Sequence, residues 1–213
     1  TMPSRYVLDQ WFADHGFIVV LMDTRGTPNR GRAWERSVYQ GLGTVPLEDH
    51  PYVLRQLGLQ YPELDLDRVG IYGWSFGGYF SALAATKYTD RFKASMVAAG
   101  LTNMISFTGT TDIPYEMSVV HWNQWWFDNP ELHWERSPIS HINIAHTPTL
   151  IIHGLKDDRV HPEQSMELWQ ALRIKGVDTE LVLYPREPHG LIERAHKLDY
   201  MDRLVGWYKK YVK

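Results

Sequence analysis

Residues Arg68–Tyr88 read RVGIYGWSFGGYFSALAATKY. An apolar run ends in Gly73-Trp74-Ser75-Phe76-Gly77, and an Ala-rich helical stretch begins at once. The pattern G-x-S-x-G is weak alone. Placed between a strand and a helix, it has the setting of a nucleophile elbow. A sharp strand-to-helix turn forces strained backbone angles on the serine, and glycines on either side let strand and helix pass closely. The Ser75 hydroxyl would then project above the carboxyl edge of a sheet, near the positive end of a helix. The Phe76 N–H would serve as an oxyanion donor. The competing reading is a tight turn with a passive serine.

On either side of this stretch, short apolar runs alternate with helical stretches. Strands are expected at Gly16–Asp23 (GFIVVLMD), Arg68–Trp74, Ala94–Ala99, Thr149–Gly154 and Thr179–Pro185. They are apolar on both faces, as strands of a parallel sheet covered on both sides should be. Helices are expected over Leu47–Leu59, Gly78–Tyr88, the stretch from Pro162 to a stop at Gly176, and a C-terminal stripe of Leu198, Met201, Leu204, Val205, Tyr208 and Tyr211. This alternation predicts an α/β fold with a mostly parallel, doubly wound sheet, residues 1–213 forming one domain. Two stretches are irregular, Thr24–Gly43 and Leu101–His146. The second, an insertion over about 101–146, contains HWNQWWFDNPELHW and has the character of a lid or binding loop. That aromatic cluster reads as a packed subdomain, a pocket wall or an oligomer contact.

Composition narrows the classes. A formal net charge of −3 gives no reason to expect nucleic acid or an acidic membrane surface. No apolar run is long enough for a membrane span. Without Cys, disulfides and thiolate metal sites are excluded. That fits a reducing compartment such as the cytoplasm, although exported proteins can also lack Cys.

A lone serine is a poor nucleophile, so a base and an acid should follow it, in the order Ser, acid, His. Two loops lie after later strands, Leu155-Lys156-Asp157-Asp158-Arg159-Val160 and Arg186-Glu187-Pro188-His189-Gly190. Asp157 follows Ser75 by 82 residues and His189 follows Asp157 by 32, which leaves room for an excursion and then one helix–strand unit. His189 would take the Ser75 proton and the acid would hold its tautomer. Spacing does not separate Asp157 from Asp158. Among the ten His, His153 reads as structural, and His161 with Asp157 and Asp158 has no metal-ligand spacing, so neither metal nor cofactor is expected.

GWSFGGY, HGLKDDRV and His189-Gly190 resemble, in order, the signature regions of the prolyl oligopeptidase family of serine peptidases. Asp23-Thr24-Arg25-Gly26 with Asn29-Arg30-Gly31 resembles its upstream D-x-R-G segment. GTTDIPYE (109–116) and SPI (137–139) look closer to its acylaminoacyl-peptidase-like branch, with the dipeptidyl peptidase IV branch as nearest rival. The resemblance implies an α/β-hydrolase fold, N-terminally truncated here, and it assigns Asp157 rather than Asp158. It implies that Arg159 holds a substrate carbonyl, and that Val160, Leu101, Met104 and Phe107, with Phe76, line the pocket for the residue before the cut. It also implies an N-terminal β-propeller and an upstream oxyanion tyrosine, neither found in this sequence. The expected activity is cleavage of short peptides, or release of acylated residues or dipeptides, through an acyl-enzyme on Ser75. A carboxylesterase with the same residues and a non-catalytic scaffold are the alternatives. The expected partner is a peptide, with a homo-oligomer possible.

Overall fold

The structure is a computed structural model that describes residues 3–212, with side chains from Val7 onward. The chain opens with helix α1 (Pro3–Asp14), then α2 (Arg32–Arg36) and α3 (Val45–Gln60). Strand β1 (Gly70–Trp74) leads directly into α4 (Phe76–Thr86), and β2 (Ala94–Ala98) follows. The irregular excursion comes next and includes α5 (Met104–Thr110) and α6 (Pro130–Glu135). Then come β3 (Thr149–Gly154), α7 (Glu163–Lys175), β4 (Thr179–Tyr184) and α8 (Arg194–Tyr211).

The strands form one parallel sheet in the order β1-β2-β3-β4. Alternation along each strand decides which helices cover which face. Met96, Ala98, Leu150 and Ile152 pack with Phe12 of α1 and with Leu204, Val205, Trp207 and Tyr208 of α8. Their neighbours Val97 and Ile151 pack the other way, with Ala82 of α4 and Leu168 and Leu172 of α7. Helices therefore cover both faces, and the apolar runs read in the sequence follow from that burial. Ser95 is the polar exception on β2, and its Oγ donates to the Ser81 carbonyl at 2.9 Å.

The expected strand at Gly16–Asp23 is not one. Residues 17–24 carry no ladder, and Ile18 and Leu21 are exposed. β1 is the edge strand on that side, and a cavity of about 400 Å³ lies between it and residues 16–22, lined by Phe17, Val19, Val69, Ile71 and Tyr72 among others. An apolar run supplies strand propensity, but a strand exists only where a neighbour pairs with its backbone. The C-terminal stripe also thins at its start: Leu198 is exposed, while Leu204, Val205 and Tyr208 are buried. Among the described residues no helix is long and apolar enough to cross a membrane.

Because the strands run parallel, the carboxyl ends of β1, β3 and β4 share one edge of the sheet. The loops leaving that edge carry Ser75, Asp157 and His189.

Candidate active site

Ser75 occupies the single residue between β1 and α4, with φ 59° and ψ −117°. A non-glycine residue at positive φ is strained and needs its surroundings to hold it. Ser75 N–H donates to the Ala98 carbonyl at 2.9 Å, and its own carbonyl accepts the Tyr79 N–H at 3.0 Å. These bonds hinge the turn onto β2 and onto the first turn of α4. The two motif glycines differ in role. A Cβ on Gly73 would lie 2.2 Å from the Gly77 carbonyl oxygen, whereas a Cβ on Gly77 would meet nothing within 4 Å. Gly73→Ala is therefore expected to cost about 1–3 kcal/mol or more, as overpacking does. Gly77→Ala should be neutral or slightly stabilising, by up to ~0.5 kcal/mol, since alanine favours helix. Urea midpoints of the two variants check this.

His189 lies between the other two residues. Its Nδ1 is 2.7 Å from Asp157 Oδ2 and its Nε2 is 2.7 Å from Ser75 Oγ. A carboxylate only accepts, so Nδ1 carries the proton and Nε2 is left to accept from the serine hydroxyl. The Trp74 indole N–H donates to the His189 carbonyl at 2.8 Å and pins its backbone to the end of β1. Asp157 is buried and Asp158 is exposed. Asp157 Oδ1 accepts the Arg159 and Val160 N–H groups at 3.0 and 2.9 Å, so the loop wraps its own carboxylate. Burial pushes the Asp157 carboxyl up, but hydrogen bonds from His153, His189 and the Val160 N–H outweigh this and hold it well below the usual carboxylate range.

His153 is more than core filling. Its Nε2 donates to the Val160 carbonyl at 2.8 Å and lies 3.2 Å from Asp157 Oδ2, while Nδ1 accepts from the Ser165 hydroxyl at 2.6 Å. A second imidazole thus flanks Asp157. Only its place at the end of a buried strand, four residues before Asp157, hinted at this.

The residues expected to meet substrate fare differently. Phe76 is the first residue of α4, so its N–H has no partner one turn back within the helix. The Arg159 guanidinium grips the carboxylate of Asp112 with Nε and, at 3.0 Å, with Nη2. Its donor fork is occupied by a residue that sequence reading left without a role. Leu101, Met104, Phe107 and Val160 are at most 2% exposed and pack with Tyr79 and Trp122. They form a closed apolar floor, not an open pocket wall, with Phe76 half-buried against them. The aromatic cluster is split: Trp122 is fully buried beside His133, while Phe127 and Trp134 are exposed. Among the described residues, Glu187, Glu193 and His196 bring ligand-type atoms within 4.8 Å of one another, but hydrogen bonds join Glu187 to His196 and to two backbone N–H groups.

The model of the prolyl oligopeptidase family matches residues 6–213. The chain belongs to this family. It is 31% identical over 206 residues to the uncharacterized peptidase YuxL of Bacillus subtilis, covering 95% of this chain and 31% of that protein. It is 31% identical to the acylamino-acid-releasing enzyme of Mus musculus, over 90% of this chain and 27% of the relative. Dipeptidyl-peptidase 5 of Porphyromonas gingivalis is 28% identical, over 94% and 30%. Among solved structures, an acylaminoacyl peptidase in complex with Z-Gly-Gly-Phe-chloromethyl ketone superposes with TM-score 0.82 at 23% identity, covering 89% of this chain and 31% of that one. A putative dipeptidyl aminopeptidase IV of Bacteroides ovatus gives 0.83 at 24%, covering 96% and 28%. This prolyl oligopeptidase family chain thus has the α/β-hydrolase fold of these peptidases, and it spans about a third or less of their length.

Proposed function

We propose that this prolyl oligopeptidase family chain is the catalytic part of a serine peptidase that cleaves short peptides through an acyl-enzyme on Ser75. The observation that carries the reading is the unbroken chain of contacts Ser75–His189–Asp157, 2.7 Å at each link. In the proposed cycle Ser75 Oγ attacks the scissile carbonyl carbon while His189 Nε2 takes its proton. The oxyanion forms at the Phe76 N–H, at the positive end of α4. His189 then returns the proton to the leaving amine, and water repeats the sequence on the ester. Asp157 stays ionised and stabilises the imidazolium.

The same residues would cleave esters, so the carboxylesterase reading differs in substrate and not in chemistry. The family and the names of the relatives favour peptides. Release of an N-terminal acylated residue or dipeptide is the finer form of the proposal. Further domain structure outside these residues, on the family resemblance a β-propeller, would restrict access to short chains. The apolar cluster of Leu101, Met104, Phe107 and Val160 beside the half-buried Phe76 favours an apolar residue before the cut. Turnover of acyl-phenylalanyl and dipeptidyl anilides against short-chain esters tests this. The expected result is higher kcat/KM on anilides with an apolar residue before the bond than on those with an acidic one. Turnover of esters alone would favour the esterase.

A further inference from the structure

We infer that Glu187, held by His196, is a positioning residue that sets where His189 stands. The inference rests on the reading of Ser75 as nucleophile and His189 as base.

The loop from β4 to α8 carries His189 and contains no regular structure of its own. Such a loop is fixed only by its contacts, of which the Trp74 bond to the His189 carbonyl is one, and a displacement of ~1 Å at a catalytic group can cost about 10²-fold in rate. Glu187 closes it from inside. Its side chain is fully buried. Oε2 accepts the Ile192 N–H at 2.6 Å, and Oε1 accepts the Glu193 N–H at 2.9 Å and the His196 Nδ1 proton at 2.6 Å. One carboxylate therefore bridges the two sides of His189, from two residues before it to the entry and first turn of α8. Glu187 also acts through its main chain. Its carbonyl accepts the Lys156 N–H at 2.8 Å, which joins the His189 loop to the Asp157 loop. Gly154 is what allows that approach, since a Cβ there would lie 2.4 Å from the same carbonyl oxygen. The two loops that carry base and acid are thus fastened together through the Glu187 main chain as well as through the His189–Asp157 bond.

A buried carboxylate is costly unless its lone pairs are used. Burial pushes the Glu187 carboxyl up. The Ile192 N–H, the His196 ring and the Glu193 N–H outweigh that and hold it below its usual range. The exposed Arg186–Glu193 pair, at 2.7 and 2.8 Å, sits on the solvent side of the same loop and is screened there. The buried carboxylate is the part of this loop whose loss leaves polar groups without partners inside the protein.

The test compares Glu187→Gln, His196→Ala and His196→Asn with the unchanged chain. Labelling of Ser75 by a fluorophosphonate and turnover of a peptide anilide are each normalised to the folded fraction by circular dichroism. Glu187→Gln and His196→Ala are expected to lower labelling rate and kcat by about 10–100-fold with KM within about twofold. His196→Asn places an amide nitrogen where Nδ1 was and is expected to recover most of the loss. The low-field proton resonance of the His189–Asp157 hydrogen bond should weaken in the two impaired variants. Folded Glu187→Gln with labelling within threefold of the unchanged chain overturns the proposal. So does a loss that merely follows the folded fraction. Should Glu187→Gln fail to fold, the alanine and asparagine variants at 196 decide, and equal rates in those two overturn it. An unchanged chain that takes no label at Ser75 overturns the nucleophile reading itself, and this inference with it.

Discussion

Ser75→Ala is expected to remove turnover by about 10⁶-fold, as loss of the nucleophile does in serine hydrolases built on this chemistry. The substitution deletes one oxygen. His189 Nε2 loses its partner at 2.7 Å, but the His189 side chain is partly exposed, so water can take the place of the hydroxyl. The backbone bonds that hold the turn, from Ser75 N–H to Ala98 and from Tyr79 N–H to the Ser75 carbonyl, do not use the side chain. Alanine meets the same strain at φ 59° as serine. The melting temperature should therefore move by only a few degrees, as for a change worth ~1 kcal/mol in a chain of this size. Activity and melting curves read on one sample check both halves. Turnover that survives in folded Ser75→Ala would remove the serine from the mechanism.

Asp157→Asn should lower kcat by about 10⁴-fold, because an amide can donate to His189 Nδ1 and stabilise the wrong tautomer. It should also reshape stability against pH. The folded Asp157 carboxyl titrates below its unfolded value of about 3.9. Its contribution is then fully present above the unfolded value and is lost as pH falls through the folded one. The unchanged chain should lose stability on acidification below about pH 4 more steeply than the asparagine variant, since the variant has no such proton to take up. Melting temperatures between pH 6 and pH 3 decide this. Parallel curves would mean that Asp157 titrates alike in both states.

Much of this was open to a reader of the sequence, and the exceptions share a cause. Four apolar runs became β1 to β4 because each has a neighbour to pair with. The fifth, Gly16–Asp23, has the same composition and no partner, and composition alone does not register that difference. Ser75 was legible because an elbow writes itself locally, as glycine, serine and glycine between strand and helix. His189 was legible from its place after a later strand. Asp157 and Asp158 are equivalent in spacing, and only burial and the bonds from Arg159 and Val160 N–H separate them. Leu101, Met104, Phe107 and Val160 are apolar either way, so sequence does not distinguish a pocket wall from a closed floor. Arg159 and Asp112 meet across 47 residues, and Trp74 reaches His189 across 115. Contacts of that range come from topology. No local pattern carries them. Glu187 and His196 are nearer in sequence, and the carboxylate two residues before His189 was visible, but its burial was not.

In the proposed mechanism Ser75, His189 and Asp157 form one working nucleophile. The most direct test is reaction of the folded chain with a fluorophosphonate, read by intact mass and peptide mapping. The expected result is a single adduct, on Ser75, formed by the unchanged chain and lost in His189→Ala. A folded sample that forms no adduct, or one that carries it on another residue, would contradict the claim.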